Sequence, residues 1–278
     1  MTKKTVQKKS SNISLKKTKD IALSIQFSLD GFSFCVSDIQ TKKDLFFTEY
    51  EFNTTQNSPE DLLKEIKLIF KSDANLQLEY SSVKVIHQNN LATLVPNNYF
   101  DENSLTNYLS YNIKTLKNDF ITFDDISKLE VKNVYIPYVN INNYLFQNFG
   151  EFEYKHHHTV LLEKLIKTNN TKEKTVYVNV SKNTFDLIVL EGEKLILLNS
   201  FSYTSTEDFI YYILFTAEQL KMNTEDFKLY FTGEIDTKSE VYKITYTYIK
   251  NISFLESKNP IFETLEDSKH SNFILLGI

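Results

Sequence analysis

Apolar and polar positions change period along this chain, and the changes mark its elements. Residues 24–38, SIQFSLDGFSFCVSD, set an Asp-Gly pair between two apolar runs, the pattern of a hairpin. A third apolar run, DLFFTEYEF, follows at 44–52. At 58–61 the sequence SPED reads as a helix start: Ser58 accepts from an orphan backbone N–H and Asp61 reaches back three residues later. Pro59 then occupies the first helical position, where its missing N–H costs nothing. Leu62, Leu63, Ile66, Ile69 and Phe70 recur with the spacing of one buried helix face. A short strand, VKVIH (83–87), comes next. The pattern then predicts a helix over 104–116 and a strand over 131–138, closed by Pro137.

The same series returns further on. LSIQFSLDGFSFCVSD (23–38) lies over VYVNVSKNTFDLIVLE (176–191) at an offset of 153 residues. Ser28 meets Ser181, Phe32 meets Phe185 and Val36 meets Val189. The second copy continues with KLILLNSFSY (194–203) after a tight turn at Gly192, then STED (205–208) as a second capping box. FIYYILFTAEQL (209–220) is apolar almost all round, which predicts a central helix covered on more than one side. FKLYF (227–231), a helix over 239–250 and the strand NISFL (251–255) complete the copy. Tyr242, Ile244, Tyr246 and Tyr248 also alternate as a strand would; the template set by the first copy decides for helix.

Length and composition fit this organisation. The 278 residues suffice for two domains, and 41% apolar with 24% charged is a globular composition. Residues 1–19 hold seven lysines and no acid, so the net charge of −5 becomes −12 for the remainder. The expected division is a disordered basic tail over 1–20, a first domain over 21–168 and a second over 169–278. An acidic body argues against nucleic acid as partner. No apolar stretch is long enough for a membrane helix. Cys35 is the single cysteine, which excludes an internal disulfide and suits a cytoplasmic protein. Every basic residue is Lys, so no guanidinium can grip a phosphate in two places.

Two copies of strand-strand-strand-helix-strand-helix-strand resemble the actin-like ATPase, Hsp70 and sugar-kinase superfamily. Within it, the chain is similar to the actin-like proteins of type IV pilus assembly and cell division, and to an uncharacterised bacterial family of that fold. The resemblance implies an α/β architecture of two tandem ribonuclease-H-like domains with mixed β-sheets. It also implies a nucleotide site, in which the first hairpin of each domain carries Asp-x-Gly. There the acid acts on magnesium or its waters, and the glycine lets the backbone touch phosphate.

Matched by position, Gln26 and Ser28 stand at those places in the first copy, and Asn179 and Ser181 in the second. Both acids are amides, which bring no charge to a cation, and both glycines carry a Cβ. SLDGFS is accordingly read as a turn of type I′. Lys182 and Thr184 in the second loop offer a cation and a hydroxyl, yet fit an ordinary hairpin tip. Thr232 and Gly233 retain the start of the adenosine-side glycine pair, with Glu234 in place of the second glycine.

The expected function is therefore non-catalytic: a protein-binding or assembly scaffold with a degenerate nucleotide site, no catalytic residues, no metal and no cofactor. Its partner is an unidentified protein or peptide. The alternative is a divergent ATP-binding protein or ATPase that holds Mg-ATP in an interdomain cleft through Lys182, Thr184, Thr232 and Gly233.

Other candidates carry less. His156, His157 and His158 are consecutive and diverge on any regular element, so they read as a polar approach to the helix at 159–166. Asp119, Asp124 and Asp125 read as a solvated loop. No P-loop, Gly-x-Gly-x-x-Gly or Gly-x-Ser-x-Gly is present. Cys35 reads as a small core residue. The aromatic, Asn-rich stretch 133–154 reads as core at the domain junction, with a partner-gripping surface as its functional alternative.

Overall fold

A computed structural model describes residues 3–9 as backbone, and 20–265 and 267–276 in full. The chain divides into two compact units, 1–162 with 259–266 and 163–258 with 267–278. The boundary expected at 168/169 thus falls earlier, inside a helix, and a late segment returns to the first unit.

Unit 1 begins with β1 (Lys3–Lys9), β2 (Ile21–Phe27), β3 (Gly31–Asp38), β4 (Asp44–Glu51), α1 (Pro59–Ser72) and β5 (Ser82–His87). Strict alternation in β2 buries Ile21, Leu23, Ile25 and Phe27 on one face. Ser58 caps α1 by accepting from the Asp61 N–H, and Leu62, Ile66, Ile69 and Phe70 form its buried stripe. Burying each such side chain stabilises the unit by roughly 1.5–3 kcal/mol.

An inserted piece follows: β6 (Ala92–Pro96), α2 (Leu105–Ser110), β7 (Thr122–Ile126) and β8 (Val131–Tyr135). Its strands form a separate sheet in the order β6-β8-β7, over a small core of Val95, Leu109, Val134 and Ile136. The helix expected over 104–116 is therefore only six residues long, and the strand expected over 131–138 belongs to the insertion. The true counterparts are α3 (Val139–Phe149) and β9 (Glu153–His156). The main sheet runs β1-β4-β3-β2-β5-β9, with β2, β5 and β9 parallel and the hairpin strands antiparallel.

Within the segment read as a disordered tail, Lys3–Lys9 forms β1, antiparallel to β4. The free edge of β4, which carries Glu49 and Glu51, offers backbone partners to a lysine-bearing segment too polar to fold alone. The rest of 1–19 lies outside the described residues.

Helix α4 (His157–Thr168) contains the division between the units. Unit 2 comprises β10 (Lys174–Val180), β11 (Thr184–Glu191), β12 (Lys194–Ser202), α5 (Thr206–Gln219), β13 (Lys228–Gly233), α6 (Glu240–Tyr248), β14 (Asn251–Phe254) and α7 (Phe273–Leu276). Its sheet order, β12-β11-β10-β13-β14, is that of β4-β3-β2-β5-β9. The helix predicted over 239–250 is α6, capped by Ser239. Ser205 and Asp208 form a reciprocal capping box on α5. One face of α5 buries Phe209, Ile210, Ile213 and Ala217, but Tyr211 and Phe215 are 58% and 47% exposed. The helix is covered on less of its surface than its composition suggested.

Hydrogen bonds repeat along with the strand order. Ser28 N donates to Gly31 O at 3.0 Å, as Ser181 N does to Thr184 O at 2.9 Å. Gln88 N donates to Phe27 O at 3.0 Å, as Glu234 N does to Val180 O at 2.8 Å. Phe27 pairs with His87 just as Val180 pairs with Gly233. The 153-residue offset read from the sequence is the register of the two first hairpins, and it has shortened to 146 by β5 and β13, where His87 answers Gly233. The protein is an α/β molecule of two units with mixed sheets.

Candidate functional site

In unit 2, the parallel pairing of β10 and β13 sets Asn179 beside Thr232 and Val180 beside Gly233 at one end of the sheet. The antiparallel pairing of β10 and β11 sets Asn179 opposite Asp186. These side chains form a buried chain of hydrogen bonds. Thr232 Oγ1 donates to Asn179 Oδ1 at 3.1 Å, and Asn179 Nδ2 donates to Asp186 Oδ2 at 3.1 Å. Ser200 Oγ, from β12, donates to Asp186 Oδ1 at 2.6 Å. Asn179, Asp186 and Thr232 are all buried. The amide at the place of the superfamily acid is thus held at both ends by its own sheet. Asp186 was not singled out from the sequence; its signal is an acid inside the apolar run TFDLIVL.

Gly233 has φ +84° and lies against β10: an added Cβ would sit 2.1 Å from Val180 O and 3.0 Å from Val180 N. The glycine is required by strand packing irrespective of any ligand. Its N–H donates to His270 O at 2.8 Å. The His270 ring, its pKa lowered by burial, contacts Ile235 O through Nε2 at 2.6 Å. At the hairpin tip Lys182 is exposed, and Thr184 is half-buried. The Tyr203 hydroxyl donates toward Ser181 O at 3.0 Å and Lys182 O at 3.2 Å, which ties the tip down. Burial, and then the nearby Glu234, raise the Tyr203 pKa and keep it a donor.

Beside the tip is a cleft of about 610 Å³ with hydroxyls from Thr184, Ser202, Tyr203, Thr204, Ser205 and Thr206. Asp208 already accepts from the Thr204 and Ser205 N–H groups at the start of α5, so that positive helix end is neutralised by the chain's own acid.

Unit 1 has its own version. Gln26 pairs with Ser33 and Ile86, and its Nε2 donates to Gln88 Oε1 at 2.7 Å. The buried Gln26 Oε1 has no hydrogen-bond partner. Ser28 Oγ accepts from Asp30 N at 3.1 Å, and Thr55 Oγ1 donates to Asp30. The Asp-Gly hairpin is present, but it is not type I′: neither Asp30 nor Gly31 has positive φ. Gly31 is needed for a different reason, since an added Cβ would lie 2.8 Å from Tyr50 O on β4.

The register places His87 where unit 2 has Gly233. His87 is fully buried. Its Nδ1 accepts from Tyr138 N at 3.2 Å, which leaves Nε2 to donate to Asn142 Oδ1 at 2.9 Å. Burial pushes its pKa down to about 4 against that hydrogen bond, so the ring is neutral.

Residues 156–159 differ from expectation too. All three histidines are buried. His156 N and Thr159 Oγ1 donate to Asp124 Oδ2 at 2.9 and 2.7 Å, and Tyr135 OH donates to Asp124 Oδ1 at 3.1 Å. Asp124 therefore acts as a cap from β7 on the start of α4, and burial raises its carboxyl pKa against these bonds. Asp125 pairs with Lys132 at 3.0 Å, and Asp119 accepts from Leu116 N in a turn. The three aspartates do not gather as a solvated loop.

The aromatic stretch contributes to a groove of about 650 Å³ in unit 1. Tyr144 and Phe149 of α3 meet Phe70 at ring separations of 5.2 and 5.7 Å, and Tyr80 meets Phe149 at 6.1 Å. Lys67 Nζ lies 5.4 Å from the Tyr144 ring centre. Phe146 and Leu68, on the same two helices, are 61% and 55% exposed.

Among the described residues, no helix is long and apolar enough to cross a membrane. A family model described as "Protein of unknown function (DUF3822)" matches residues 10–252. A search of curated proteins gives no match. Among solved structures, a Bacteroides thetaiotaomicron VPI-5482 protein with actin-like ATPase fold and unknown function is 25% identical. It superposes with a TM-score of 0.81 over 96% of this chain and 100% of its own. The PilM–PilN type IV pilus biogenesis complex gives 11% identity and a TM-score of 0.57, over 84% of this chain and 87% of that one.

Proposed function

The chain belongs to the DUF3822 family of unknown function, and from that premise we propose that it is a non-catalytic, protein-binding or assembly scaffold built on the actin-like fold. One observation carries this reading. In both units the residue at the place of the magnesium-directed acid is an amide: Asn179 is bonded at both ends within its sheet, to Asp186 and Thr232, while Gln26 donates to Gln88 just beyond β5 and keeps an uncharged Oε1. A magnesium nucleotide does not fit such residues, because they supply no charge and no arginine stands in. Gly233, which looked like a nucleotide signature, is explained by β10 alone.

The aromatic groove of unit 1 supports a binding role, since half-buried Tyr and Phe rings offer large contact area at small entropic cost. PilM, of similar fold, forms a complex with PilN in type IV pilus biogenesis, which favours the same reading. The lone, buried cysteine suits a cytoplasmic place of work.

Titration calorimetry with Mg-ATP on the full chain tests the first half: no heat is expected, and saturable binding with turnover overturns the proposal. Affinity purification with mass spectrometry tests the second. A partner retained by wild type and lost by folded Tyr144→Ala, Phe149→Ala protein is expected. Substrate-dependent activity without any partner refutes it.

A further inference from the structure

The sheet of unit 1 has one strand more than the duplicated plan requires. β4-β3-β2-β5-β9 already matches the five-stranded sheet of unit 2, and β1 lies outside that set, antiparallel along β4. Its sequence, KKTVQKK, holds four lysines and a single aliphatic residue, Val6. β4 carries Asp44, Glu49 and Glu51. A bulge at Leu45 interrupts the pairing of β4 with β3, and β1 stops just short of it, with Lys9 opposite Phe46. Acids and a bulge guard an edge against indiscriminate pairing. The position of β1 shows that a lysine-bearing strand is admitted. Yet β1 fits imperfectly. From Lys3, opposite Glu51, to Val6, opposite Glu49, it takes three residue steps to the two of β4. Lysines 8 and 9 then come opposite Phe47 and Phe46, where an aromatic residue pairs better with a β-branched one.

We propose that residues 46–51 of β4 form a strand-addition site and that β1 is its built-in placeholder. The partner is an extended segment of another protein, with lysines opposite Glu49 and Glu51 and β-branched residues opposite Phe46 and Phe47. This gives the protein-binding reading above a surface and a partner class, and rests on that reading. Backbone hydrogen bonds are alike for any strand on this edge, so the cross-strand side chains decide which strand holds it. A lysine opposite Glu49 adds an ion pair in place of Val6, and β-branched residues improve both aromatic positions. Joined to β2 through residues 10–20, β1 meets its own edge at an effective concentration on the order of 1 mM. The β1 of a second copy brings the same side chains and gains nothing over it. A foreign strand with the better pairs displaces it.

The probe is a dye-labelled peptide of residues 3–9 carrying Val6→Lys, Lys8→Val and Lys9→Val, followed by fluorescence anisotropy with the full chain. Wild type should bind it. Val6→Pro, Gln7→Pro protein should bind it roughly tenfold tighter or more, because one of these two adjacent N–H groups faces β4 and its loss opens the edge. Glu49→Lys, Glu51→Lys should weaken binding by roughly tenfold or more in either background. No binding to the proline variant overturns the proposal, as does equal binding by the proline variant and wild type. Binding that survives the two Glu→Lys changes also overturns it. Should the proline variant fail to fold, Lys3→Glu, Lys4→Glu, Lys8→Glu, Lys9→Glu protein, whose own segment is repelled by β4, takes its place. A wild-type dimer lost in the proline variant would make a second copy the occupant and overturn the partner assigned here. The two readings fail separately: Mg-ATP turnover refutes the scaffold without touching the peptide result, and a peptide that does not bind leaves the Tyr144 and Phe149 test as it stands.

Discussion

Acidifying the protein from pH 7.5 to 4.5 should cost unit 1 a definite share of its stability through His87. The ring is fully buried, with its pKa near 4 against an unfolded value near 6.5. A histidine whose folded pKa is depressed binds fewer protons folded than unfolded between those two values. Its contribution is therefore intact above about pH 6.5 and is lost as pH falls toward 4. A shift of about 2.5 units at ~1.4 kcal/mol each gives roughly 3 kcal/mol over the window, a large part of an ordinary domain's ~5–15 kcal/mol. The structural cause is local: protonating Nδ1 removes the acceptor for the Tyr138 N–H and charges a ring that touches Phe27 and Tyr138. Urea unfolding of wild type and His87→Gln at pH 7.5, 6.0, 5.0 and 4.5 isolates this group from the other titrations. The variant should be weaker at pH 7.5, and the gap should shrink by roughly 2–3 kcal/mol at pH 4.5. A gap that does not move with pH, or an NMR titration of the His87 ring with its midpoint near 6.5, would sink the reasoning.

Gly233→Ala should destabilise unit 2 by roughly 2–5 kcal/mol, combining left-handed backbone strain with overlap on Val180 O; a loss under about 1 kcal/mol in a denaturant titration counts against it. Asn179→Asp, which restores the superfamily acid, should place a second carboxylate against buried Asp186 and cost roughly 3 kcal/mol or more without creating Mg-ATP binding by calorimetry. A stable variant that binds nucleotide would reverse that view. Ser205→Ala and Ser58→Ala should each lower stability by roughly 0.5–2 kcal/mol, with the larger effect at Ser205, where the capping box is reciprocal. Equal thermal shifts from the two variants would show that the return bond from Asp208 adds nothing.

What the sequence made legible were features whose signals are local. The two hairpins, the Ser-capped helices and the offset between the copies need only a few neighbouring residues, and each stands where it was read. α6 was resolved against its own strand-like alternation by the expected order of elements, although the helix that stood as its template, over 104–116, belongs to the insertion and its true counterpart is α3. The insertion β6–β8 was missed since its strands read like the next elements of the repeat, and nothing local says that β8 pairs with β6 and β7. Asp186 and His87 escaped, and Asp124 was taken for a solvated loop residue, for a related reason: each is made unusual by residues from another strand or helix. The turn at Asp30 shows the same limit at short range. Its residues favour a left-handed hairpin, but the close approach of β4 accounts for Gly31 without one.

Residues 259–266 give unit 1 a dependence on time. Ile261 and Phe262 are buried in a short turn against β4, and Asn259 Nδ2 donates to Asp44. Yet about a hundred residues, including nearly all of unit 2, separate this segment from the rest of its own unit. At a synthesis rate of ~5–20 residues per second, the first unit waits roughly 5–20 s for its last piece, while the second has its main sheet complete. On the ribosome the N-terminal unit is therefore completed only just before the second, whose own last piece, 267–278, follows directly, and a chain cut short after residue 258 lacks the closing segment of both.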